Sequence, residues 1–135
     1  MALSSVAEGA DTLCAKLALD ESFRLIVLLP MSAMEYRKDF LETAAAEYDK
    51  LLSLADEVFV APPDEKPPDY PSRGFWYRQA GLYIAKRCDV LLAIWDGVEK
   101  DTPDGAGTWE TVKAAKAVGT EIKNIKFKEA HHGTF

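Results

Sequence analysis

The residues best placed to do chemistry are Asp96, Gly97, Gly105, Gly107, Thr108 and Glu110, which lie in the stretch CDVLLAIWDGVEKDTPDGAGTWE that starts at Cys88. Asp96 and Gly97 close the apolar run Val90 to Trp95, and a glycine-bearing turn (Gly105, Ala106, Gly107) leads into Thr108 and the helical pattern TWETVKAAKAV. An apolar run without alternation describes a strand covered by helices on both faces. A helix begins with backbone N–H groups that have no partner within it. A small-residue turn ahead of Thr108 is therefore expected to aim such groups at an anion lying over the strand end. Asp96 supplies an acceptor for a ribose hydroxyl, a recurring solution in dinucleotide folds. The same residues also describe a plain surface turn with Thr108 as N-cap, since one glycine-rich turn is weakly specific.

A second polar group comes from Ser4, Ser5, Glu8, Gly9 and Asp11, where hydroxyls and a Gly9-Ala10-Asp11 turn open a helix. Tyr77 and Trp95 carry aromatic faces that can stack on a base or ribose, although the place of Trp95 inside an apolar strand favours the core. Glu110 and Asp96 are the catalytic candidates, with Glu8 as a further partner. Cleavage of an N-glycosidic bond needs one carboxylate at the oxocarbenium centre and a second group to protonate the leaving base. An acid in a first helical turn is favoured by the helix dipole whatever the function, which is the plainer reading of Glu110. Arg37, Arg73 and Arg78 can fork onto phosphate oxygens, or can be ordinary surface charges.

These residues need elements to hold them. Ser5 to Leu19 reads as a helix, FRLIVLLP (Phe23 to Pro30) as a buried strand stopped by proline, and Met34 to Leu54 as one helix with Phe40, Leu41, Ala44, Tyr48, Leu51 and Leu52 in a stripe. Glu57 to Ala61 is a short strand, and PPDEKPPDYPS is an irregular loop of a length that is often functional. Phase changes continue with a helix over Phe75 to Arg87, the strand Val90 to Trp95, a helix over Trp109 to Val118 stopped by Gly119, and a strand over Ile122 to Phe127. Alternating strands and helices predict an α/β fold with a mainly parallel, doubly wound sheet, whose ligands sit at the carboxyl ends of the strands. Either Met1 to Ser4 is a remnant strand, or the usual N-terminal strand and helix are lacking and the sheet keeps an exposed edge that invites a homodimer or larger homo-oligomer.

At 135 residues the chain fits a single domain over 1–128 with a C-terminal tail over 129–135. Hydrophobic content of 48% with 28% charged residues describes a soluble, cytoplasmic protein, with no signal segment and no apolar run long enough for a membrane. A net charge of −6 disfavours a nucleic-acid partner. The basic cluster Lys123 to Lys128 reads as a solvated edge or tail. Cys14, Cys88 and the histidines of the final HHGTF lack metal-ligand spacing, so neither metal nor resident cofactor is expected.

The chain resembles the SLOG superfamily, the Rossmann-like group that holds the Lonely-Guy-type phosphoribohydrolases and the DNA-processing protein A fold, and is most similar to its bacterial stand-alone and defence-associated members. The resemblance lies in LSSVAEGADTLCAKLAL (Leu3 to Leu19), LIVLLPMSAMEYRKDF (Leu25 to Phe40), YRQAGLYIAKRCDVLLAIWDG (Tyr77 to Gly97) and GAGTWETV (Gly105 to Val112). It implies a Rossmann-like fold and a nucleotide or nucleotide derivative as ligand. Members usually carry a further N-terminal strand and helix with a glycine-containing ligand loop, which this sequence is read as lacking.

In the phosphoribohydrolases a glutamate three residues after the motif threonine takes part in catalysis, whereas here Glu110 stands two residues after Thr108 and Thr111 holds that place. A helix turns about 100° per residue, so the shift re-aims the side chain. The arginine motif of those enzymes is not evident. The resemblance thus implies nucleotide binding more strongly than it implies that enzyme. An N-glycosidic enzyme similar to the nucleoside 2-deoxyribosyltransferases, which use a glutamate nucleophile, is the second reading. A truncated structural or interaction module without ligand is the third.

Overall fold

The structure is a computed structural model and describes residues 1–7 and 9–126. Glu8, the proposed tail and the end of the basic cluster therefore lie outside the described residues. Strands and helices follow one another along the chain: β1 (Ala2–Ser4), α1 (Ala10–Asp20), β2 (Leu25–Leu29), α2 (Ala33–Arg37), α3 (Glu42–Leu54), β3 (Glu57–Val60), α4 (Arg73–Arg87), β4 (Val90–Trp95), α5 (Thr108–Ala117) and β5 (Glu121–Lys126). All strand pairings are parallel, in a three-stranded sheet ordered β1-β2-β3 and a two-stranded sheet β4-β5. Met1 to Ser4 is thus strand-forming, with Ala2, Leu3 and Ser4 in register with Leu25, Ile26 and Val27.

The uninterrupted apolar sequence of β2 is buried at every position. On one face Leu25, Val27 and Leu29 pack with Ala15 of α1 and with Tyr36, Tyr48 and Leu51 of α2 and α3. On the other, Leu28 packs with Ala61 and with Ala80 of α4. Further along α4, Ala85 joins Leu91, Ala93 and Trp95 of β4 and Val112 and Ala115 of α5. The helix α4 is therefore shared by both sheets, and its N-terminal half reaches the candidate site.

Two expectations are corrected. The single helix Met34 to Leu54 is two helices. Ser32 caps α2, its Oγ accepting the Glu35 N–H at 3.3 Å, and Leu41 has an extended backbone (φ −77°, ψ 168°) that starts α3 afresh. The break lets the Phe40 ring fold to 4.6 Å from Tyr48, residues that an unbroken helix would hold about 12 Å apart along its axis. Leu41, placed in the apolar stripe by spacing, is exposed instead.

The second correction concerns β4. Its Leu91, Ala93 and Trp95 are buried, while Val90 and Leu92 on the opposite face are exposed, because α4 and α5 pack on the same side of it. Among the described residues no helix is long and apolar enough to cross a membrane.

Candidate functional site

The carboxyl end of β4 and the start of α5 border a shallow, open hollow of about 330 Å³ lined by Ile94, Trp95, Asp96, Val98, Lys100, Thr102, Thr108 and Trp109. Asp96 accepts the Val98 N–H on Oδ1 at 2.9 Å, which turns the chain sharply, and Gly97 takes the left-handed φ of 81° that this turn requires. Trp95 and Trp109 form one wall, their rings nearly parallel with centroids 6.2 Å apart. Trp95 is largely buried and its Nε1 donates to Asn124 Oδ1 at 3.0 Å, so its body belongs to the core and only part of it reaches the hollow. Among the described residues the Lys100 ammonium has no carboxylate partner.

The glycine turn is closed on itself. Gly105 N–H donates to Thr102 O at 3.0 Å, and the Thr102 hydroxyl accepts from Ala106 N at 3.0 Å and Gly107 N at 3.3 Å. Asp104 Oδ1 adds a second acceptor for Ala106 at 3.2 Å. The sequence reading expected these N–H groups to be open to a ligand. Instead a hydroxyl from the preceding loop holds them. What remains without a partner, among the described residues, is the pair of N–H groups of Thr108 and Trp109 in the first turn of α5. Both of these residues line the hollow.

Glu110 behaves differently from Asp96. It is only 8% exposed and is not part of the hollow lining. Arg78 Nη1 reaches its Oε2 at 3.3 Å and Lys113 Nζ the same oxygen at 3.2 Å. Arg78 also donates to Gly105 O at 3.3 Å and, through Nε, to Glu65 Oε1 at 2.7 Å. Charge-assisted bonds from Arg78, and then the bond from Gln79, hold the Glu65 carboxyl below its usual range.

The N-terminal half of α4 supplies most of this support, and Lys113 adds to it from α5. Gly74 lies so close to the turn that an added Cβ would stand 2.6 Å from the Asp104 Cβ. Gln79 is buried, and its Oε1 accepts the N–H groups of Asp64 at 2.6 Å and Glu65 at 3.0 Å, which ties the proline-rich loop to the helix.

The β1 group gathers separately. Ser4 Oγ accepts the Val6 N–H at 3.0 Å, and the Ser5 carbonyl accepts the Tyr36 hydroxyl at 3.0 Å. Val6 is fully buried with φ 47°, a costly conformation for a β-branched side chain. Tyr77 lies against Tyr36, centroids 5.9 Å apart, and burial, followed by the nearby Asp11 charge, pushes the Tyr36 phenol well above its usual range. Asp11 is solvent-accessible at its surface, yet enough protein surrounds it that desolvation raises its carboxyl pKa. Gly9, with φ 100°, starts α1 and lines a different hollow of about 340 Å³ between α1 and α3.

Asp96 and Thr108 are thus brought together in the first hollow, with Gly97, Gly105 and Gly107 in its flanking turns. Ser4, Ser5, Gly9, Asp11 and Tyr77 are not among its lining residues. The three arginines read as phosphate partners are held by acids: Arg37 by Asp49, Arg73 by Glu35 and Asp39, and Arg78 by Glu65 and Glu110. Lys100, Thr102, Trp109 and Gln79 were not singled out by spacing. Only the turn signature Thr102-Pro103-Asp104-Gly105 hinted that a side chain would fold back there.

Fold and site together define a parallel α/β domain with an open, tryptophan-walled hollow at a strand's carboxyl end. Comparison with protein-family models and with curated proteins finds no match.

Proposed function

We propose that this chain is a Rossmann-like, SLOG-type domain that binds a nucleotide or nucleotide derivative at the carboxyl end of β4. The observation that carries the reading is the hollow itself, in which Lys100 and the open N–H groups of Thr108 and Trp109 suit an anionic group, Asp96 suits a hydroxyl, and tryptophan suits a ring. Parallel α/β sheets bind ligands at this end of their strands. Binding is favoured over N-glycosidic catalysis because Glu110, the candidate nucleophile, is engaged by Arg78 and Lys113 and is not among the residues that line the hollow.

The test is a thermal-shift screen against nucleosides, mononucleotides, dinucleotides and cyclic nucleotides, with chromatography of each hit for released base. A rise in melting temperature with the ligand intact is expected. Gly107→Val and Thr108→Val are expected to abolish that shift while circular dichroism is retained. Unchanged affinity in both variants would refute the site, and release of base would reinstate the enzyme.

A further inference from the structure

The face of the β4-β5 sheet away from α4 and α5 carries Val90 (41% exposed), Leu92 (49%) and Ile125 (46%), with half-buried Ile94 between them. The parallel register sets Ile94 beside Ile125, Leu92 beside Lys123 and Val90 beside Glu121, so apolar residues run along β4 and across the carboxyl end of the pair, and one acid and one base occupy the amino-terminal part of β5. Parallel strands are almost always covered on both faces, and β2 of this chain is. Among the described residues no element packs on this apolar face of the parallel pair, and an exposed apolar patch marks a surface for another body.

We propose that this body is a second copy of the chain, docked face to face across a two-fold axis. An axis crossing the strands at the level of Leu91 and Ile122 sets the two copies antiparallel. It places Glu121 of one copy opposite Lys123 of the other and Val90 opposite Leu92, with Ile94 and Ile125 extending past the starts of the partner's strands. The charges on the face are self-complementary in that arrangement, which is the requirement of an isologous interface. A partner of uniform charge would match only half of it. The surface is distinct from the sheet edges and shares only Ile94 with the lining of the hollow.

The experiment is sedimentation velocity of the full chain over a concentration series, for the wild type, Leu92→Lys, Lys123→Glu, Glu121→Lys and an equimolar mixture of the last two. The wild type is expected to dimerise, and Leu92→Lys to sediment as a folded monomer. Each charge variant alone is expected to weaken self-association about tenfold, and the mixture to recover it, because one copy then presents two acids to two bases. The mixture separates interface pairing from any effect within one chain, where Lys123 and Glu121 lie 3.9 Å apart. Should Leu92→Lys fail to fold, the charge series alone decides. A wild type that stays monomeric throughout, or a dimer indifferent to all of these changes, overturns the proposal.

Discussion

Thr102 takes the place in the glycine turn that a bound oxyanion would take. Its hydroxyl receives two N–H groups of the turn, and its Cγ2 lies 3.0 Å from where a Gly107 Cβ would stand, so a phosphate oxygen entering the turn would have to compete with it. Thr102→Ala removes both the hydroxyl and the methyl that fill the turn. It is expected to tighten binding of inorganic phosphate about five- to tenfold by calorimetry, the worth of about one hydrogen bond, while Thr102→Ser matches the wild type. Weaker binding by a folded Thr102→Ala protein would make the hydroxyl a structural part of the turn. Arg78 is the complementary case. Arg78→Ala leaves the buried Glu110 with Lys113 alone and the Gly105 carbonyl without its donor, and is expected to cost about 2–3 kcal/mol in chemical denaturation. Arg78→Lys is expected to recover only part of this, since one ammonium cannot span Glu65, Gly105 and Glu110 at once.

At the scale of the elements, α4 is the scaffold and the proline-rich loop is fastened to it. Arg78 and Gln79 hold Glu65, and Lys86 pairs with Asp64. The folded carboxyl of Glu65 titrates below its unfolded value, which is about 4.3. Its contribution is therefore complete above that value and is lost as the pH falls through the lower folded one. Amide-exchange protection at Asp64 and Glu65, measured against the intrinsic rate at each pH, is expected to fall across that acid window, and this fall is expected to vanish in Arg78→Ala, where the main cause of the shift is gone. An acid step that survives in Arg78→Ala would place the latch elsewhere. The split between α2 and α3 is decided at this scale too. Spacing alone marked a continuous apolar stripe, but the ring cluster of Tyr36, Phe40 and Tyr48 forms only if the chain folds back between them.

At the scale of the molecule, the proposed pairing across the open face of β4-β5 would tie stability to association. If a second copy covers it, the melting temperature of the full chain is expected to rise with protein concentration, by mass action, and that of Leu92→Lys to be independent of it. A wild-type melting temperature constant over the series would separate folding from assembly.

The sequence by itself determined the alternation of strands and helices outside the α2–α3 break, the burial of β2 and the turn past β4 that the hollow borders. These follow from local causes: unbroken apolar runs, proline and glycine stops, and the placement of polar residues just past a strand. Asp96, Gly97, Gly107 and Thr108 were legible for that reason. Only the tertiary structure decided that Thr102 fills the turn, that Glu110 is spoken for by Arg78, and that β4 is covered on one face. Arg78 and Glu110 are 32 residues apart, and both helices that pack on β4 chose the same side. No local pattern carries such information, because a side chain's partner and a strand's second face are set by where distant elements come to rest.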